Sequence, residues 1–330
     1  MATLKSLVDE TTNIKNELKT CHANLKNNLV EKGVDASSSD KMATLIDKVR
    51  DIERLPKYFN NVWSTNPNNL ESGRIAHSVA SLGDNVYCFG GNTTASEGSG
   101  VYCFSVSNNT WSAKQSMPVK TYFASSCTVG NNIYVLGGGT STLAKKNFCY
   151  NPSTNTWTER TGKSSSSYRG AIACVDNKIY HMGGTSNNTE CYDITTDTWT
   201  SKASCITLRS YGTAQSCGNN IYFIGGNGGI KKVECYDTTT NTWTSKTDMT
   251  TGREKMASAI IDNFIYVIGG DASVNSAQIT NERFNVLTNT WESLCDMPSS
   301  RYSMGATPVN GIIYVIGGYG NTKVNEAYLP

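Results

Sequence analysis

The phrase NNIYVLGG at 131–138 is written six times, with variation, along this 330-residue chain. Its copies are DNVYCFGG (84–91), NKIYHMGG (177–184), NNIYFIGG (219–226), DNFIYVIGG (262–270) and NGIIYVIGG (310–318). Six tryptophans, Trp63, Trp111, Trp157, Trp199, Trp243 and Trp291, keep the same beat at intervals of 42–48 residues. From each tryptophan to the first glycine of the next pair is 26 residues, or 27 in the first instance. From that glycine to the following tryptophan the count varies between 16 and 22. One half of the unit is fixed in length and the other is not, and variable length belongs in exposed loops.

Each unit reads as four short strands. The first is small and apolar, as in YGTAQSC (211–217). A tight turn of the GDN or GNN kind follows, which is hairpin chemistry. The recurring phrase is the second strand, β-branched and aromatic. The third is VECYD (233–237) or TECYD (189–193), and the fourth carries TNTWT after an Asn/Thr turn. The glycine pair closes strand two where backbones crowd, so that a Cβ would clash or forbid the dihedral. The tryptophan is expected to fill the wedge between twisted neighbouring sheets. A period of this size is that of propeller blades.

The first 56 residues differ in kind. They hold 18 of the 56 charged residues and no aromatic one, and Gly33 is the one glycine of 29 among them. Leu4, Leu7, Thr11, Ile14, Leu18, Cys21 and Leu25 follow alternating steps of three and four, a coiled-coil seam. Gly33 stops this helix, and Ser37 with Asp40 is spaced as a capping box for a second, short one bearing Leu45, Ile46, Val49 and Ile52. Residues 1–56 are therefore expected to be a helical stem, with self-association through residues 1–30. The alternative is a helical hairpin folded against the rest of its own chain. Pro56 marks the boundary.

The bulk numbers exclude several classes. Formal net charge is +2, so no nucleic-acid or charged-membrane partner is expected. No apolar run approaches the roughly 18 residues of a membrane span. The opening MATLKSLVDETTNIK carries charges where a secretory signal would need an apolar stretch, so synthesis in the cytoplasm is expected. Eleven cysteines include no C-x-x-C, and Cys103, Cys149, Cys191 and Cys235 each lie eight residues before a tryptophan. They read as small buried hydrophobes kept reduced. Only three histidines exist, His22, His77 and His181, in unlike settings, so no metal or other cofactor is expected.

The repeated apolar–Tyr–apolar–apolar–Gly–Gly, followed by a Tyr-containing strand and a Trp, resembles the kelch repeat over residues 58–330. The resemblance implies an all-β, six-bladed β-propeller over 57–330, each blade a four-stranded antiparallel sheet. YFNNVWSTNP (58–67) supplies a fourth strand with no first three, and TKVNEAYLP (322–330) a third with no fourth. Strand 58–65 is expected to complete the last blade. The layout NNLVEKGVDASSSDKMATLIDKV (27–49) resembles, more loosely, a leader on tail-associated proteins of phages infecting Gram-positive bacteria. Eukaryotic kelch adaptors carry a far longer ubiquitin-ligase-recruiting domain than 56 residues can hold.

In rings of this type the four-to-one and two-to-three loops share one face. Sixteen residues before each glycine pair stand Arg74, Thr121, Ser167, Arg209, Arg253 and Arg301. Tyr122, Tyr168, Arg169, Tyr211 and Tyr302 lie beside them. Together they predict an Arg/Tyr-rich face around the central channel, suited to planar, multiply hydrogen-bonded contacts with a protein or a cell-surface glycan. The alternative is that each arginine only ties neighbouring blades. The expected function is non-enzymatic recognition, displayed by an oligomeric stem on a virion or tail-like particle. The enzymatic alternative is a ring like that of a sialic-acid mutarotase, with Glu254 as acid/base beside Arg253. A kelch-type copper-radical oxidase is disfavoured, since His77 and His181 lie far apart in the repeat. A third alternative is an intracellular protein-interaction scaffold.

Overall fold

The computed structural model describes residues 61–330, except 67, 71, 93–97, 273–275 and 321–322. The expected helical stem lies outside the described residues.

These residues form six four-stranded antiparallel sheets. Blade one spans residues 78–114, blade two 125–159, blade three 171–202, blade four 213–246 and blade five 257–293. Blade six takes Gly305–Val309, Ile312–Ile316 and Asn325–Leu329 from the end of the chain and Val62–Asn66 from before blade one. The closing pair is antiparallel and in register, with Trp63 opposite Tyr328 and Asn66 opposite Asn325. The described part of the strand completing the last blade is Val62–Asn66; residues 58–60 of the expected strand lie outside the described residues. The first strands of successive blades touch all the way round a central axis.

Strand two is buried on both faces, which is why it is apolar without alternation. In blade one Val86, Tyr87, Cys88 and Phe89 are all essentially inaccessible. The six apolar clusters lie between blades, not within them. One joins Phe89 and Val101 of blade one to Ile133, Val135 and Tyr150 of blade two. The glycine pair ends strand two with positive φ, as in Gly90 and Gly91 at 61° and 88°. A Cβ on Gly91 would stand 2.7 Å from that of His77 and 2.8 Å from the Ile75 carbonyl. Backbone crowding and dihedral both demand glycine there.

The outer rim has its own fastening. Each tryptophan indole donates to a carbonyl just beyond the preceding blade: Trp111 to Asn68, Trp157 to Gln115, Trp199 to Thr161, Trp243 to Ala203, Trp291 to Thr247, and Trp63 to Cys295, at 2.8–3.0 Å. Two residues before each tryptophan an Asn or Asp takes the left-handed conformation, with φ of 53–69°. In blade four the Asn241 side-chain oxygen accepts from the Tyr236 hydroxyl and from the Ala203 amide of the previous linker. Asn155, Asp197 and Asn61 make the same double contact.

Candidate functional site

The four repeat arginines do not line the channel. Arg209, Arg253 and Arg301 have no accessible surface and Arg74 almost none. Each guanidinium reaches back to the carbonyls that end its own blade's second strand. Arg253 donates to Gly269 O at 2.9 Å and Thr280 O at 3.0 Å, and Arg74 to Gly90 O at 2.5 Å. The charge is met by a glutamate on strand three. Arg253 pairs with Glu282 at 2.7 Å, Arg209 with Glu234 at 3.2 Å, and Arg301 with Glu326. Arg74 faces Tyr102 instead, 4.4 Å from the ring centroid. These four therefore pin the linker that enters each blade to that blade's own second and third strands, because a guanidinium with five fixed donors satisfies several buried carbonyls at once.

Two residues beyond each of these positions the chain turns through the left-handed region. Ala76, Phe123, Arg169, Tyr211, Lys255 and Ser303 have φ of 50–64°. Their backbones form a hoop around the axis. Phe123 N–H donates to Ala76 O, Ala76 to Ser303, Ser303 to Lys255, Lys255 to Tyr211, and Tyr211 to Arg169, at 2.7–2.9 Å. Their side chains surround a cavity of about 190 Å³ at one end of the axial channel. A second section of about 240 Å³ continues along the first strands.

This mouth is lopsided. The Arg169 guanidinium lies 5.0 Å from the Tyr211 ring centroid, 5.1 Å from Tyr168 and 5.9 Å from Phe123. Phe123 and Tyr211 meet edge to face at 5.0 Å, and Tyr122 packs on Phe123 at 5.6 Å. Among the described residues Arg169 has no carboxylate within ion-pair distance, and its Nε has no hydrogen-bond partner. Lys255 is neutralised in place, 2.5 Å from Glu254 and 3.8 Å from Asp271, with Tyr211 and Tyr302 beside it. Burial works against its charge, but Glu254 and Asp271 outweigh it and hold its pKa above the ordinary lysine value. Tyr302 stacks on Tyr319 at 4.9 Å, and Tyr319 is half exposed.

Of the residues expected from sequence, Tyr122, Tyr168, Arg169, Tyr211, Tyr302 and Glu254 come together here. Arg74, Arg209, Arg253 and Arg301 do not. Phe123, Lys255 and Tyr319 were not anticipated. Counting two residues past the arginine position, rather than at it, would have found the first two. Among the described residues no group of three or more His, Cys, Asp or Glu could hold a metal ion.

The KLHDC2/KLHL20/DRC7 Kelch-repeats domain model matches residues 56–226, just over half of the chain, and the Kelch motif model matches 208–250 and 253–298. The chain belongs to the kelch-repeat family. Its repeat arginines and tryptophans are thus the fastenings of a kelch ring. No curated protein matches the chain. The solved structure of YjhT superposes with a TM-score of 0.65 at 16% identity, covering 78% of this chain and 95% of that one. At that identity the likeness concerns the fold alone.

Proposed function

We propose that this kelch propeller is a recognition module that takes a protein or glycan ligand at the lopsided mouth of its channel. The observation that carries the reading is Arg169, a cation framed by Tyr168, Tyr211 and Phe123 with no carboxylate partner among the described residues. A ligand with an anionic group beside a flat apolar or ring face fits that chemistry. The reading includes residues 1–56 as an oligomerising stem, so that repeated ligands on a cell surface are met multivalently, as on a phage or prophage tail. Among the described residues no helix is long and apolar enough to cross a membrane.

The enzymatic reading, a sugar-isomerising ring, needs Glu254 to move a proton. Its carboxylate is engaged by Lys255 at 2.5 Å, which favours binding over proton transfer. The discriminating experiment screens sugars, cell-wall fragments and peptides by thermal shift, then measures affinity for the hit. Arg169→Ala and Tyr211→Ala are expected to weaken it at least tenfold, with Tyr319→Ala weakening it less. Undiminished affinity in Arg169→Ala removes the reading, and turnover abolished in Glu254→Gln replaces it with the enzymatic one. Intact mass under native conditions tests the stem: a monomer removes multivalency.

A further inference from the structure

One blade boundary differs from the other five. Around the ring, the second glycine of each pair donates its N–H to the carbonyl at the arginine position of the next blade. Gly91 donates to Thr121, Gly184 to Arg209, Gly226 to Arg253, Gly270 to Arg301 and Gly318 to Arg74, at 2.7–2.9 Å. Between blades two and three the bond from Gly138 to Ser167 is not made; the Ser167 carbonyl accepts from the buried Lys163 ammonium instead. The hoop of left-handed residues has its gap at the same place, between Arg169 and Phe123. Two independent sets of backbone hydrogen bonds are thus both interrupted at one boundary.

Lower on that boundary two thiols meet. Cys127 is the third residue of blade two's first strand and Cys174 the fourth of blade three's. Both line the second section of the channel and both are partly accessible, and Cys127 packs against the apolar cluster that joins blades two and three. The first strands of these two blades are in direct contact. The Cys174 thiol also lies 3.4 Å from the Thr128 carbonyl. The equivalent residues Thr128 and Ser81 each donate a hydroxyl to the blade before, to Ser81 O and Pro308 O. Cys174 thus stands where hydroxyl residues (Ser81, Thr128 and Ser216) stand in three other blades, and a serine there would keep the hydrogen bond. A thiol adds what a hydroxyl lacks, which is the ability to form a covalent bond with its neighbour.

We infer that Cys127 and Cys174 are an oxidisable pair whose disulfide clasps blades two and three at the one boundary lacking its ring hydrogen bonds. The oxidant is a peroxide or a low-molecular-weight disulfide arriving through the channel. With a disulfide, the thiolate of one cysteine attacks a sulfur of the reagent, one thiol leaves, and the second cysteine displaces the other. The pair loses two electrons and two protons, and the reagent is reduced to two thiols. The Cys174 thiol already lies against the carbonyl of Thr128, the residue next to Cys127, so the two sulfurs have to close from neighbouring strands to the S–S bond length of about 2.05 Å. No metal or second chain is required. Because the clasp lies beneath Phe123 and Arg169, it stiffens the side of the mouth that carries the unpaired cation.

The test uses the full-length chain, fully reduced and then exposed to oxidised glutathione or hydrogen peroxide. Trypsin places Cys127 alone in the peptide 121–145 and Cys174 alone in 170–178. The expected product is these two peptides joined, two hydrogens lighter than their sum, and reversed by a reducing agent. Cys174→Ser and Cys127→Ser abolish it. The oxidised wild type melts several degrees above the reduced form, and both serine variants lose that difference. Exposed Cys295 reports whether the reagent acted. If Cys295 is fully modified while Cys127 and Cys174 remain two alkylatable thiols, or if either pairs with a different cysteine, the inference is overturned.

Discussion

Lys163 stands four residues before Ser167, where the other blades carry Leu70, Met117, Cys205, Met249 and Met297, and Ser167 stands where four of them carry arginine. The two changes compensate. Glu190 of blade three occupies the strand position of Glu234, Glu282 and Glu326, and the Lys163 ammonium reaches it at 3.9 Å while donating to Ser165 and Ser167. Blade two has neither charge, with Thr121 facing the register of Phe148. Each of the four buried strand-three glutamates is therefore met by a buried cation, even where the cation's backbone origin shifts by a turn of chain. Lys163→Met is expected to cost about 3 kcal/mol by leaving Glu190 without its cation. The double variant Lys163→Met with Ser167→Arg is expected to recover most of that loss, as read by denaturant midpoints in a mutant cycle. Burial also lowers the Lys163 pKa to about 8, only partly opposed by Glu190. The unfolded chain then binds more protons between about pH 8 and 10.5. The contribution of Lys163 to stability rises with pH over that window, and Lys163→Met removes the slope. The histidines govern the acid side. Burial and then the charge of Arg74 lower His77 to about 3, and burial with Lys163 puts His181 well below its usual value. Both contribute stability that is full above about pH 6.5 and falls as acid is added, by about 1.4 kcal/mol per pH unit for each histidine. Equilibrium unfolding at pH 7 and pH 4.5 measures this, and His77→Gln should flatten the slope.

At the scale of a blade, the turn before strand four does more than reverse the chain. Asn241 holds a left-handed backbone, a tyrosine hydroxyl and the amide of the neighbouring linker at once. Asn241→Ala is expected to destabilise by about 2–3 kcal/mol, from two lost hydrogen bonds and a strained dihedral. Asn241→Asp should cost far less, since Asp197 fills the same role in blade three. Thermal melts of the two variants decide this. Strand two, the glycine pairs and the tryptophans were all legible in the sequence, because their spacing repeats and each repeats for a local reason. Side-chain direction was not. Arg209 and Tyr211 are two residues apart, yet one points into the interblade core and the other lines the channel. A left-handed residue lies between strands, and no composition rule places Phe or Lys there. The arginines were recognisable as recurrent, and recurrence itself was the signature of fastening. The site had to be sought among residues that differ from blade to blade, as Phe123, Arg169, Tyr211 and Lys255 do.

For the whole molecule, closure rests on one strand pair joining residues 62–66 to 325–329. Ending the chain at Lys323 removes Tyr328, the partner of Trp63 and of Asn61, and also Glu326, the partner of Arg301. Such a truncation is expected to abolish the single cooperative unfolding transition, measured by circular dichroism on heating. A milder substitution, Tyr328→Phe, keeps the ring contact and loses the hydroxyl bond, and should lower the midpoint by only a few degrees.

The indole hydrogen bonds at the rim all run to the preceding blade, and this gives biosynthesis a direction. Trp111, Trp157, Trp199, Trp243 and Trp291 each find an acceptor that left the ribosome before them. Trp63 alone waits for Cys295, some 230 residues later in translation. The nascent chain can therefore assemble as a growing arc, blade upon blade, but its first tryptophan stays unsatisfied until blade five and the linker that follows it have been made.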